Sequence, residues 1–139
     1  MRLADLGSGF NRLVTTAVAN GAVSAENAVG LDLLPKEMVT QQVQRGKLTQ
    51  GSDRLHVTGR IEDAAASLAP WTSKAKFNLV TSSFSIMSKE PQLIASHFRA
   101  ANRILETGGR LMILLPLSSF GPSQDATFKQ GLAEMGFAV

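Results

Sequence analysis

Three stretches of the chain have the residue types and spacing to hold a nucleoside. The first is the turn Asp5-Leu6-Gly7-Ser8-Gly9-Phe10-Asn11, set between a short apolar run and an amphipathic stretch. Glycine lets a backbone turn tightly and approach a ligand closely, and a helix opening just beyond presents free amides. The second is Asp32, in the apolar run Ala28-Val29-Gly30-Leu31-Asp32-Leu33. A carboxylate there can accept from both hydroxyls of a ribose diol. The third is the acidic pair in Arg60-Ile61-Glu62-Asp63-Ala64, which can face an exocyclic amine. Two glycine patterns compete for the turn. G-x-G-x-x-G needs a third glycine at position 12, where the chain has Arg12. Acidic-x-G-x-G-x-G is met at Asp5, Gly7 and Gly9 and departs only at Asn11, and Asn is the residue after glycine that best tolerates a left-handed backbone.

Each feature also has a plain structural reading. Two glycines suit a turn in any α/β domain, Asp32 a capping or loop acid, and Glu62 and Asp63 the dipole at a helix start. His56 is expected on a strand surface, His97 on a helix surface, and Trp71 against the sheet. Lys74, Lys76 and Lys89 read as a solvated face.

Short apolar runs alternate with longer amphipathic ones, and these elements must place the three features. Strands are expected at 3–6, 28–33, 55–57, 77–81 and 111–115, with the start of a sixth at 137–139. Helices are expected at 11–20, 35–45, 62–68, 91–105 and 123–135, the third ended by Pro70 and the fourth by Gly108-Gly109. Such alternation predicts one α/β domain over 1–139: a Rossmann-like three-layer αβα sandwich with a mostly parallel sheet and right-handed crossovers. The run Leu111-Met112-Ile113-Leu114-Leu115 reads as a strand buried on both faces. The elements use the chain from Leu3 to Val139, so the fold reads as truncated at both ends, with a protein partner or a missing segment expected over the sheet edges.

Composition narrows the chemistry. The 139 residues contain no cysteine, which excludes disulfide scaffolds, zinc thiolates, iron–sulfur clusters and cysteine nucleophiles. Two histidines give no basis for a metal site. A net charge of +3 permits an acidic partner such as RNA without demanding one. No apolar run approaches the ~18 residues of a membrane-spanning helix, and Met1-Arg2-Leu3-Ala4-Asp5 opens no signal peptide. The expected location is intracellular, nuclear, nucleolar or cytoplasmic, with no membrane partner.

Over nearly its whole length the chain resembles the class I S-adenosylmethionine-dependent methyltransferases. The matching segments are LADLGSGFN (3–11), VGLDLLP (29–35), GRIEDA (59–64), FNLVTSSFSIM (77–87) and ANRILETGGRLMILLP (101–116). The last is similar to the family's R-x-L-K-P-G-G turn, with Glu106-Thr107 where Lys-Pro is common. The resemblance implies S-adenosyl-L-methionine as cofactor. It implies that Asp5 faces the methionine end or orients the glycine loop, and that Gly7, Ser8 and Gly9 pass beneath the methionine and ribose, with Asn11 closing the pattern. Asp32 would accept both ribose hydroxyls, Leu33 would lie against the adenine, and Asp63 or Glu62 would meet its amino group. Ser82 and Ser83 would border the methyl group and the substrate. No metal is implied. In-line transfer of an activated methyl rests on positioning and desolvation, so no catalytic base is named. An Asn/Asp-Pro-Pro-Tyr box is absent after the fourth strand, where the chain reads Thr81-Ser82-Ser83-Phe84. The C-terminal half resembles the nucleolar ribosomal-RNA-processing adenine methyltransferases, which implies RNA or a ribonucleoprotein as partner. Two other readings stand beside the enzyme: an inactive methyltransferase-like subunit of a larger assembly, and a nicotinamide-dependent oxidoreductase, disfavoured by Arg12.

Overall fold

Apolar runs bounded by glycine and polar turns become strands because both their faces can be covered. The computed structural model describes residues 1–83, 91–114 and 122–138. Five strands, β1 (Leu3–Leu6), β2 (Ala28–Asp32), β3 (His56–Thr58), β4 (Phe77–Ser83) and β5 (Leu105–Leu114), form one sheet in the order β3-β2-β1-β4-β5. All four pairings are parallel. The chain leaves β1 outward to β2 and β3, then returns to β4 and β5, so the order reverses between β1 and β4. In such sheets the crevice for ligands lies beyond the strand carboxyl ends at this switch point.

Helices α1 (Arg12–Ala19) and α2 (Lys36–Gln44) link β1 to β2 and β2 to β3. The turn Ile61–Asp63 and the short helices α3 (Ala64–Ser67) and α4 (Ala69–Thr72) carry the chain from β3 to β4, and α5 (Pro91–Ile104) carries it from β4 to β5. Because right-handed crossovers in opposite directions place their helices on opposite faces, the result is a three-layer αβα sandwich. On one face Leu3 and Ala28 pack with Val14 of α1 and with Val23. On the other, Ala4, Leu6, Val29, Leu31 and Val80 pack with Ala64 and Leu68 and with Ala100, Ala101 and Ile104 of α5. Helix α6 (Pro122–Glu134) rests on α5, with the Phe98 and Phe128 rings edge to face at 4.7 Å.

The fold departs from the sequence reading in four places. The helix expected at 62–68 is a 3-10 turn and a four-residue helix that breaks at Leu68. A further helix restarts at Ala69 with Pro70 in its first turn, where the missing amide has no intrahelical role. Strand β5 begins at Leu105, directly after α5, and its register against β4 shifts where Glu106–Gly109 loops out, with Gly108 at φ 81°. Its apolar run is not buried on both faces: Leu111 and Ile113 are half-buried while Met112 and Leu114 are 60% and 55% exposed. Phe137 and Ala138 form no strand, and Phe137 instead packs against the larger core cluster. Trp71 packs against that cluster, as expected, and Lys74 and Lys76 are exposed. Lys89, Leu115, the segments 84–87 and 117–120, and Val139 lie outside the described residues.

Candidate functional site

The switch point brings the glycine turn, Asp5, Asp32 and the end of β4 together. Asp5 sits on β1 in register with Gly30 of β2 and Thr81 of β4. Side chains at paired positions of a parallel sheet share a face, here the face that α1 covers. The Thr81 hydroxyl donates to Asp5 Oδ1 at 2.7 Å, and Asp5 is 3% exposed. Burial pushes its carboxyl up to about 6 from 3.8. The Thr81 bond pulls it down and the nearby charge of Asp32 raises it further.

The glycine turn folds back over the end of β2. The amides of Gly7 and Ser8 donate to the Leu31 carbonyl at 2.7 and 3.1 Å. Gly7, Gly9 and Asn11 have φ of 76°, 55° and 65°, so the turn has a left-handed residue at each position where the acidic-x-G-x-G-x-G pattern asks for glycine. Asn11 fills the third of these and is fully buried. Its amide Nδ2 donates to the Ser52 carbonyl at 3.3 Å, tying the turn to the loop before β3. The space for it comes from Gly30. A methyl there would overlap Asn11 Oδ1 and lie 2.7 Å from the Ser8 hydroxyl oxygen. A glycine inside a strand marks such a close approach, so the sequence held the signal. Gly30 and Thr81 are site residues that reasoning from motifs alone missed.

Asp32 fastens the turn from the other side. Its Oδ2 accepts from the Gly9 amide at 3.0 Å and its Oδ1 from the Leu34 amide at 2.8 Å. A carboxylate has about four lone-pair sites, so a ribose diol can still be accepted. Leu33 is 68% exposed beside it, an apolar surface open to solvent. Among the described residues other than its chain neighbours, no atom lies within 4 Å of a methyl placed on Gly9.

The acidic pair after β3 divides its work. Glu62 Oε1 accepts from Nε2 of His97 on α5 at 3.0 Å, and Arg60 Nε lies 3.5 Å from Oε2. The Glu62 carboxyl is held below its ordinary range, first by a backbone hydrogen bond and then by His97 and Arg60, against some desolvation. Asp63 is exposed and makes no cap bond, so its carboxylate faces solvent at the start of α3. Ser82 is buried and hydrogen-bonded or otherwise engaged, and Ser83 is half-buried, both at the carboxyl end of β4.

Both histidines correct the sequence reading. His56 is 2% exposed, not on a strand surface, because Nε2 reaches the Leu34 carbonyl at 2.7 Å. The side chain of His97 is 13% exposed, not on a helix surface, because it meets Glu62. Neither has a spacing signal, since both partners come from other elements.

Among the described residues, no group of three or more His, Asp or Glu residues is placed to hold a metal. No Lys or Arg among them forms an ion pair with Asp5 or Asp32. No helix among them is long and apolar enough to cross a membrane. Compared with known proteins, the chain matches no family model and no curated sequence.

Proposed function

We propose that this domain binds S-adenosyl-L-methionine and is a methyltransferase acting on RNA or another macromolecule in a nuclear, nucleolar or cytoplasmic setting. The observation that carries the reading is electrostatic. The glycine turn is lined by two carboxylates, Asp5 and Asp32, and the Gly9 amide that could meet a phosphate is already engaged by Asp32. A pyrophosphate finds repulsion there, which disfavours a dinucleotide. A ligand carrying ammonium and sulfonium charges finds complementary charge.

The chain's residues then have separable roles. Asp32 accepts the ribose hydroxyls on lone pairs that Gly9 and Leu34 leave open. Leu33 offers an apolar surface to the adenine, and Asp63, the unengaged member of its pair, accepts from the exocyclic amine. Asp5, held by Thr81, lies beneath the turn and balances cationic charge. Gly7, Ser8 and Gly9 form the floor, with Asn11 and Gly30 keeping it pressed to β2. Ser82 and Ser83 border the acceptor side. The bound cofactor would supply an already activated methyl, so these residues need only position the reactants and exclude water.

Titration calorimetry tests this reading. S-adenosylmethionine is expected to bind, and Asp32→Ala to weaken binding at least tenfold or abolish it. Absence of heat at about 1 mM ligand overturns the reading, since that concentration detects even weak complexes. Unchanged affinity in Asp32→Ala overturns the ribose contact.

A further inference from the structure

The Glu62–His97 contact spans the sheet. Glu62 follows β3 at one side of the order β3-β2-β1-β4-β5, whereas His97 lies on the helix between β4 and β5. Strands β3 and β4 are three positions apart, roughly 14 Å at the usual strand spacing. Helix α5 bridges that gap because Ala100, Ala101 and Ile104 lie flat on the sheet core together with Ala64 and Leu68 of the segment after β3. Phe98 is also buried, so the helix is fixed in rotation and carries His97 to Glu62. A carboxylate only accepts, so His97 Nε2 donates. The 13% exposure of the His97 side chain shields this bond from water.

From this geometry we infer that His97 is a positioning residue for the adenine end of the site, acting through Glu62 to set the turn Ile61–Asp63 and thereby Asp63. This role rests on the cofactor reading above. Glu62 is taken by His97 and Arg60 and so is not the acceptor itself. Asp63, its neighbour in the same 3-10 turn, has only that turn to orient it, because it makes no cap bond of its own. With His97 removed, Glu62 keeps its backbone hydrogen bond and the exposed Arg60, whose side chain is 70% solvent-accessible. Although Ile61 still packs on the core, the turn loses the side-chain hydrogen bond that ties its acidic end to α5.

The measurement is the preference for adenosine over inosine, which differ in the exocyclic amine that an acid at position 63 would read. Wild-type protein is expected to prefer adenosine. His97→Ala should lower adenosine affinity about three- to tenfold, the value of one hydrogen bond, and leave inosine within about twofold. A general loosening of the fold would weaken both nucleosides alike. His97→Gln, whose amide can still donate to Glu62, should restore the preference. His97→Asn, too short to reach, should behave like alanine and serves if His97→Ala does not fold. An unchanged adenosine-to-inosine ratio in His97→Ala or His97→Asn overturns the role of His97 alone. Wild-type protein that binds neither S-adenosylmethionine nor adenosine overturns the cofactor reading, and this role with it.

Discussion

Asp5 is a carboxylate in a place that disfavours its charge. The unfolded chain releases its proton near pH 3.8, whereas the folded chain keeps it to about pH 6. Between these values the native state binds more protons, so stability falls as pH rises. The favourable contribution is full below 3.8 and lost above 6. A shift of this size corresponds to a penalty on the order of 3 kcal/mol at pH 7. Asp5→Asn keeps an oxygen for the Thr81 hydroxyl and removes the buried charge. Thermal unfolding should therefore show Asp5→Asn several degrees more stable than wild type at pH 7 and nearly equal to it at pH 3.5. The same variant should bind S-adenosylmethionine at least tenfold more weakly. A destabilised Asp5→Asn at pH 7 would show that its carboxylate serves the fold and not a ligand. The type and place of Asp5 were legible in the sequence. Its altered acidity was not, because that depends first on burial between elements the fold brings together, with Asp32 adding to the shift and Thr81, 76 residues away along the chain, opposing it.

At the scale of elements, the alternation of runs located each of the five strands among the described residues, because strand and helix periods differ and glycine marks their ends. It started the fifth six residues late, however, and expected a sixth from Phe137 where Phe137 and Ala138 form none. What it missed came from tertiary partners. Leu68 and Pro70 split a helix whose alanine content favours continuity. The apolar residues of β5 read as doubly buried, yet Met112 and Leu114 alternate outward. The glycine turn illustrates how one element shapes another: Asn11 fits its left-handed position only because Gly30 lacks a side chain. Gly30→Ala should cost about 2 kcal/mol or more in urea unfolding, since an added methyl meets packed atoms. Replacing Asn11 with Gly in the same chain removes the worst overlap at the loss of one bond to Ser52. The double variant should then be less destabilised than the sum of the two singles by about 1 kcal/mol. Strict additivity would mean that Asn11 is not what Gly30 accommodates. Ser8 remains close to the new methyl, so full rescue is not expected.

Across the whole molecule, the sheet order carries Asp5, Asp32 and the turn after β3 to one edge although each comes from a different strand unit. α/β order and the location of the edge were legible from alternation alone. Which acid after β3 stays open was not, because α5 decides it by carrying His97 to Glu62. Under the proposed function, binding at this edge would be linked to folding: a ligand present at 100 times its Kd stabilises by about 2.7 kcal/mol. The linkage also has a sign in pH. A cationic ligand paired with Asp5 requires its ionised form, so each unit of pH below about 6 should weaken binding by up to tenfold. S-adenosylmethionine keeps its charges between pH 5 and pH 7, whereas adenosine has none to pair. At equal ligand concentration, the thermal shift given by S-adenosylmethionine should therefore shrink on going from pH 7 to pH 5, by about 1.4 kcal/mol for one unit below the Asp5 transition. The shift given by adenosine should hold nearly constant, and Asp5→Asn should remove the difference in slope. Parallel slopes for the two ligands in wild-type protein would rule out Asp5 as the partner of the cationic charge.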